Sequence, residues 1–237
     1  MQLKPEATVR MGLIRKKESW TTEAFQSYWS EQHGTLASSI PNLREYWQNP
    51  VVDRLQRGID FARGPWDFDG FSQLWFDDAK EADLAFNKGA LSAALIADEQ
   101  HFLGELHIVT ARQAEVIEVP AEPARSALLK RISTLRRRGD VSEEDFRREW
   151  EIHGVMVREM PGVGGYRQNV VTGRERTKGQ PCDYDALPID GIVELWFENP
   201  ATLEAAFASP QGQRTMAHAK TFLSEITAFL VKERRII

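Results

Sequence analysis

A shift of about 121 residues lays the second half of this chain over its first with few gaps. Phe25–x3–Trp29 recurs as Phe146–x3–Trp150, and Tyr46–x–Gln48–Asn49 recurs as Tyr166–x–Gln168–Asn169. Asp69–Gly70 with Trp75–Phe76 returns as Asp190–Gly191 with Trp196–Phe197. Two copies are too few for a solenoid, which buries a continuous core only by stacking several units. The pattern therefore implies a fused pseudo-dimer: similar units over 1–119 and 126–237, with residues 120–125 around Pro120–Pro123 as the linker.

Bulk properties exclude several classes. At 237 residues and 42% hydrophobic the chain is long enough for two compact units. No run of about 18 apolar residues is present for a membrane span, and Lys4, Glu6 and Arg10 stand where a signal peptide needs an apolar stretch. A cytoplasmic location is expected, and the lone Cys182, unable to form an internal disulfide, agrees with a reducing compartment. Net charge is −5, and the one basic cluster, Arg136–Arg138, lacks the aromatic-interleaved stripe of a nucleic-acid surface. It reads as a solvated strand end.

Each half shows the same order of elements. Val9–Lys16 and Ser126–Leu135 alternate as strands. A helix follows each, capped by Thr21 or Thr22 in the first copy and by Ser142 in the second, and stopped by Pro41 and Pro161. Short strands through Tyr46–Trp47 and Gly165–Val171 lead into long connections at 50–68 and 172–188. Strands at Phe71–Phe76 and Ile192–Phe197, helices near 79–96 and 201–217, and closing strands at Leu106–Val119 and Ile226–Ile237 complete the halves. This is βαββαβ twice, an α+β fold of two ferredoxin-like units. Their outer sheet faces are too apolar to be bare, so the antiparallel sheets are expected to pack face to face into an α/β barrel.

The histidines are not scattered. His33–Gly34 and His153–Gly154 each sit eight residues before a proline and thirteen before a tyrosine, Tyr46 or Tyr166. Histidine titrates near neutrality, and a tyrosine across a small cavity can donate to a developing oxyanion, so each pair suits proton transfer beside a carbonyl. The plainer alternative is a histidine bonded to a backbone carbonyl under the sheet. Trp29, Trp75, Trp150 and Trp196 recur in register and read as core, whereas Trp47 and Trp66 have no partner in the other half and are expected to shape one cavity. Neither a His-x-His nor a His–Glu–x2–His pattern occurs, and no phosphate-cradling glycine loop is found, so no metal or nucleotide is expected.

Phe25–x3–Trp29–x3–His33–Gly34, followed by Ile40–Pro41–Asn42–Leu43–x2–Tyr46, resembles the signature of the EthD family of dimeric α/β-barrel proteins. The second copy resembles it again, over nearly the whole chain in tandem. The shorter Trp150-to-His153 spacing, Met160–Pro161–Gly162 and His218–Ala219–Lys220–x–Phe222 are similar to the methylmuconolactone isomerase branch. That resemblance places His153 and Tyr166 on the branch's site positions. It departs at two others: the branch's third-strand cysteine is Leu195 here, and its loop histidine has no counterpart in 172–188. By the same resemblance Asp98 and His101 in the first copy, and His218 in the second, are candidates to line the substrate or to orient the helix histidine.

Family members commonly act without metal or organic cofactor on small ring compounds. The resemblance thus implies a cofactor-free lyase or isomerase for a small hydrophobic lactone, phenolic or polyketide-like substrate, with the long connections as lids. A non-catalytic binding protein and a cofactor-free monooxygenase are the competing classes. Fusion already supplies the paired sheets, so either a pseudo-dimeric monomer or a homodimer fits.

Overall fold

The computed structural model describes residues 7–77 and 90–237. Its first half runs β1 (Ala7–Lys16), α1 (Thr22–Tyr28), a π-helical turn (Trp29–His33), α2 (Gly34–Ala37), β2 (Glu45–Asp53), β3 (Gly70–Phe76), α3 (Ala90–Phe102) and β4 (Leu103–Ile117). The second half runs β5 (Leu129–Arg137), α4 (Glu143–Val157), β6 (Gly165–Thr177), β7 (Gln180–Pro181), β8 (Gly191–Phe197), α5 (Pro200–Ala208), α6 (Pro210–Phe222), β9 (Leu223–Val231) and β10 (Arg234–Arg235).

Both predicted caps form, with the Thr21 hydroxyl accepting from Ala24 N–H at 3.2 Å and the Ser142 hydroxyl from Asp145 N–H at 3.0 Å. The helix expected near 201–217 is two helices instead. Ser209 ends α5 in extended geometry and caps α6 through Gly212 N–H at 3.0 Å, with Pro210 at the first position of the new helix. Of the matching first-half helix, residues 79–89 with Ala82, Leu84 and Phe86 lie outside the described residues. The fifth strand starts at Leu129 rather than Ser126, because Arg125–Ala127 forms a 3₁₀ turn, and the second strands run longer than expected.

Within each half the sheet follows the ferredoxin-like order, β2-β3-β1-β4 and β6-β8-β5-β9. The two sheets also pair edge to edge: β4 runs antiparallel to β6 along much of its length, and β2 meets β9 at Val51 opposite Val231. The result is one antiparallel ring whose main edges are all paired. Strand alternation gives it two faces. Val9, Met11, Phe71, Ile132, Ile192 and Phe229 fill the interior, while Tyr46 and Leu74, and likewise Tyr166 and Leu195, face the helices outside.

The recurring Asp–Gly and Trp pairs have a packing reason. A Cβ on Gly70 would stand 2.6 Å from the Trp29 ring, and one on Gly191 would come closer still to Trp150. Each helix tryptophan presses the edge of its six-membered ring onto the start of the third strand, where only glycine leaves room.

One end of the ring interior is polar. Lys130, fully buried, lies 2.6 Å from Glu194, also fully buried, and 2.9 Å from Glu233. Asn169 joins Glu194 at 2.8 Å and Gln113 joins Asn169 at 2.7 Å. Burial opposes ionisation of both acids, but the Lys130 ammonium beside them holds Glu194 below the usual carboxylate range and, with Arg125, brings Glu233 down to about 2.

Candidate functional site

Each half holds a cavity of about 40 Å³, partly open to solvent, between its helices and the outer face of the ring. Arg10, His33, Tyr46, Ser72, Leu74 and Glu99 are among the residues around the first. Arg131, Ser133, Tyr166, His153, Leu195 and Phe207 are among those around the second. Both predicted histidine–tyrosine pairs thus share a cavity.

The first copy carries one more residue between tryptophan and histidine than the second, and the π turn over Trp29–His33 takes it up. Such a turn widens a helix by a single residue, so His33 arrives at the same place as His153 on the regular helix α4.

What stands behind each histidine differs. Buried His33 has its Nδ1 2.7 Å from Asp98 Oδ2, and Tyr28 donates its hydroxyl to the other Asp98 oxygen at 2.6 Å. Burial disfavours the Asp98 anion, yet the hydrogen bonds from His33 and Tyr28 hold its carboxyl below the usual range. The same bond pushes the Tyr28 hydroxyl up to about 12. An ionised Asp98 accepting from Nδ1–H leaves Nε2 as the basic nitrogen of His33.

In the second half His218 takes the place of Asp98. Its Nδ1 is 3.4 Å from Nδ1 of His153, the rings stack at 5.6 Å, and its Nε2 lies 3.3 Å from Glu149. His153 keeps some accessible area, but loss of hydration, followed by the neighbouring His218, pushes its pKa down to about 3. Its imidazole is neutral at physiological pH.

Glutamine fixes both tyrosines. Gln48 donates to the Tyr46 hydroxyl at 2.9 Å and to Trp29 C=O at 2.7 Å; Gln168 donates to Tyr166 at 2.8 Å and to Trp150 C=O at 2.7 Å. Burial raises both phenol pKa values, so each stays a neutral O–H that accepts from glutamine and can donate onward.

The long connections close the cavities in exchange. Ile59 from the first half's 54–69 connection lines the second cavity, and Arg57 C=O accepts from Arg131 at 3.0 Å. Gln56 donates to Ile226 C=O at 2.7 Å and Gly64 N–H to Thr227 at 2.9 Å, tying the connection down. Lys178, beyond β6 of the second half, lines the first cavity, and Glu175 on β6 grips Arg10 there with two bonds of 2.5 and 2.8 Å. Each connection thus covers the neighbouring unit's cavity rather than that of its own half, because the strand that carries it pairs with that unit at the edge of the ring.

Arg10 and Arg131 were missed in the sequence, although they recur at the same 121-residue interval as the tryptophans. Trp47 lines neither cavity. It is one residue from Tyr46 on β2 and so points to the opposite face, with its Nε1 donating to Glu45 at 2.9 Å and Arg125 lying 3.9 Å over its ring. Asp98 and His218 sit behind the histidines rather than against the cavity space. His101 is exposed at the end of α3, edge-on to Trp20 at 5.4 Å. The arginine cluster is spent on local ion pairs, Arg136 with Glu225, Arg137 with Asp190 and Arg138 with Asp140. Cys182 packs half-buried against the ring interior.

Among the described residues no group of three or more His, Cys, Asp or Glu side chains could hold a metal ion, and no helix is long and apolar enough to cross a membrane.

Several solved structures share the fold. An anthrone oxidase-like protein superposes with a TM-score of 0.67 at 6% identity, over 98% of this chain and 93% of its own. A haem-binding protein from Thermus thermophilus does so with a TM-score of 0.50 at 12% identity, over 98% and 92%. At such identities the likeness concerns the fold alone.

In sequence, 93 residues are 29% identical to the 4-carboxymethyl-4-methylbutenolide mutase of Pseudomonas reinekei, covering 39% of this chain and 86% of that protein. The EthD domain matches twice, at residues 17–105 and 138–225, together most of the chain, so this protein belongs to the EthD family and carries the domain in tandem.

Proposed function

We propose that the chain is a cofactor-free isomerase or lyase that moves a proton on a small hydrophobic ring compound bearing a carbonyl. The observation that carries this is the recurrence of one histidine and one glutamine-held tyrosine around a cavity in both halves. The histidine takes a proton from the carbon beside the carbonyl. The electron pair of the broken C–H bond moves to the carbonyl oxygen, where the tyrosine O–H steadies the resulting enolate. Return of the proton to a different carbon isomerises the ring, and departure of a β-substituent instead makes the reaction an elimination.

The likeness to a butenolide mutase supports the isomerase form. The two sites are unequal. His33 is backed by the Asp98 carboxylate, whereas loss of hydration beside His218 holds His153 neutral. The connection that reaches over the cavity, with Ile59 in its lining, is placed to act as a lid on a bound ring compound.

The test is turnover of a butenolide with a carboxymethyl arm, followed by NMR in oxygen-free buffer. Tyr46→Phe and Tyr166→Phe should each slow it on the order of 10-fold or more, as loss of an oxyanion donor does. Turnover that demands oxygen would point to the monooxygenase class, and a ligand recovered unchanged to a binding protein.

A further inference from the structure

We propose that the second cavity recognises a carboxylate through Arg131, and that the first has lost this capacity because Glu175 fills the corresponding arginine. The proposal deepens the function above and rests on it only for the chemistry that follows binding.

Arg131 is 2% exposed and lines the cavity beside His153 and Tyr166. Every partner it has is neutral: the Ser133 hydroxyl at 3.2 Å, Arg57 C=O at 3.0 Å and the Phe207 ring at 5.0 Å. Among the described residues no carboxylate pairs with it. Loss of hydration pushes its pKa down to about 9, which still leaves a cation at neutral pH. A buried cation without a counter-charge is costly to fold and persists where something else compensates it.

The first half shows what compensates it. Arg10 occupies the same strand position, with Leu74 opposite it where Arg131 has Leu195. It holds the Glu175 carboxylate with two parallel bonds, the fork geometry in which guanidinium meets carboxylate best. Glu175 therefore gives Arg10, from within the chain, the carboxylate partner that Arg131 lacks. No equivalent acid reaches Arg131. The matching stretch of the first half is Arg54–Leu55, and Arg54 turns to Asp67 and Asp69. Asp53 is taken by Arg57. The duplicated sites have thus diverged: one arginine is satisfied from within, and the other awaits an anion.

Calorimetry on the whole chain, with benzoate against its neutral counterpart benzyl alcohol, tests this. Wild type should bind one benzoate, and Arg131→Met should weaken it about 10- to 100-fold, the loss of a charge-assisted pair, while changing benzyl alcohol affinity less than about 2-fold. A structural role for Arg131 predicts a lowered Tm in Arg131→Met, whereas removal of an uncompensated charge leaves Tm unchanged or raised. Should that variant not fold, the Arg131 Nε–H resonance in wild type must still shift on benzoate addition. Equal affinity for benzoate and benzyl alcohol, full benzoate affinity in Arg131→Met, an unmoved Arg131 signal or two benzoates bound by wild type would each overturn the proposal. Benzoate bound through Arg131 with no proton transfer to any ring would end the catalytic reading alone, and turnover of neutral lactones without carboxylate preference would end this one alone.

Discussion

Nδ1 of His33 lies 2.7 Å from Asp98, whereas the corresponding ring of His153 faces His218 at 3.4 Å. One duplicated helix histidine is thus oriented by an anion and the other by a second imidazole. Asp98→Asn keeps a hydrogen-bond acceptor but removes the charge that stabilises an imidazolium. Proton transfer in the first cavity should fall on the order of 10²-fold with little change in KM, and the second cavity should be unaffected. Single-turnover NMR in a His153→Ala background measures it.

His153 also leaves a signature in pH-dependent stability. Its folded pKa, about 3, lies below the unfolded 6.5, so the unfolded chain takes up a proton that the native chain refuses. Stability from this group is complete above pH 6.5 and declines as pH falls from 6.5 toward 3. Urea unfolding across that window should show His153→Phe losing less stability than wild type. The His153 ring carbons should not titrate between about pH 5 and 8, the range in which an ordinary histidine does.

The glycine beneath each tryptophan is a packing requirement. Gly191→Ala puts a methyl where the Trp150 ring now lies and should cost about 1–3 kcal/mol by overpacking. Gly70→Ala should act alike through Trp29 at 2.6 Å, and the larger loss should fall on Gly191, where the ring is closer. Chemical denaturation compares the two.

Lys130 and Glu194, both fully buried, are worth more broken than absent. Lys130→Val alone strands Glu194 and should cost about 3–5 kcal/mol. Adding Glu194→Gln recreates the pair Val9 and Gln73 found at the matching positions of the first half, and should restore part of the loss. A double-mutant cycle by urea unfolding gives the coupling.

Much of this arrangement is written in the repeat. Phe25, Trp29, Gly70 and their copies establish two βαββαβ units, and the constant spacing from His33 to Tyr46 and from His153 to Tyr166 locates both cavities. The unequal spacing from tryptophan to histidine was also visible, and only the structure shows a π turn absorbing it. The exchange of lids was not legible, because the composition of residues 50–68 says that a connection is long and not which unit it covers. Arg10 and Arg131 were passed over because a lone polar residue in an alternating strand reads as solvent-facing, and the helices that bury it lie elsewhere in the chain. The same alternation turns Trp47, a neighbour of Tyr46 on β2, to the opposite face of the strand.

Solvent deuterium incorporation into a carboxymethyl butenolide, read by NMR for wild type, His33→Ala, His153→Ala and the double variant, tests the central claim most directly. The account predicts that each single variant removes part of the exchange and that the double variant falls to the buffer rate, with near-native circular dichroism throughout. Wild-type exchange in the folded double variant would contradict it and remove both histidines from the chemistry.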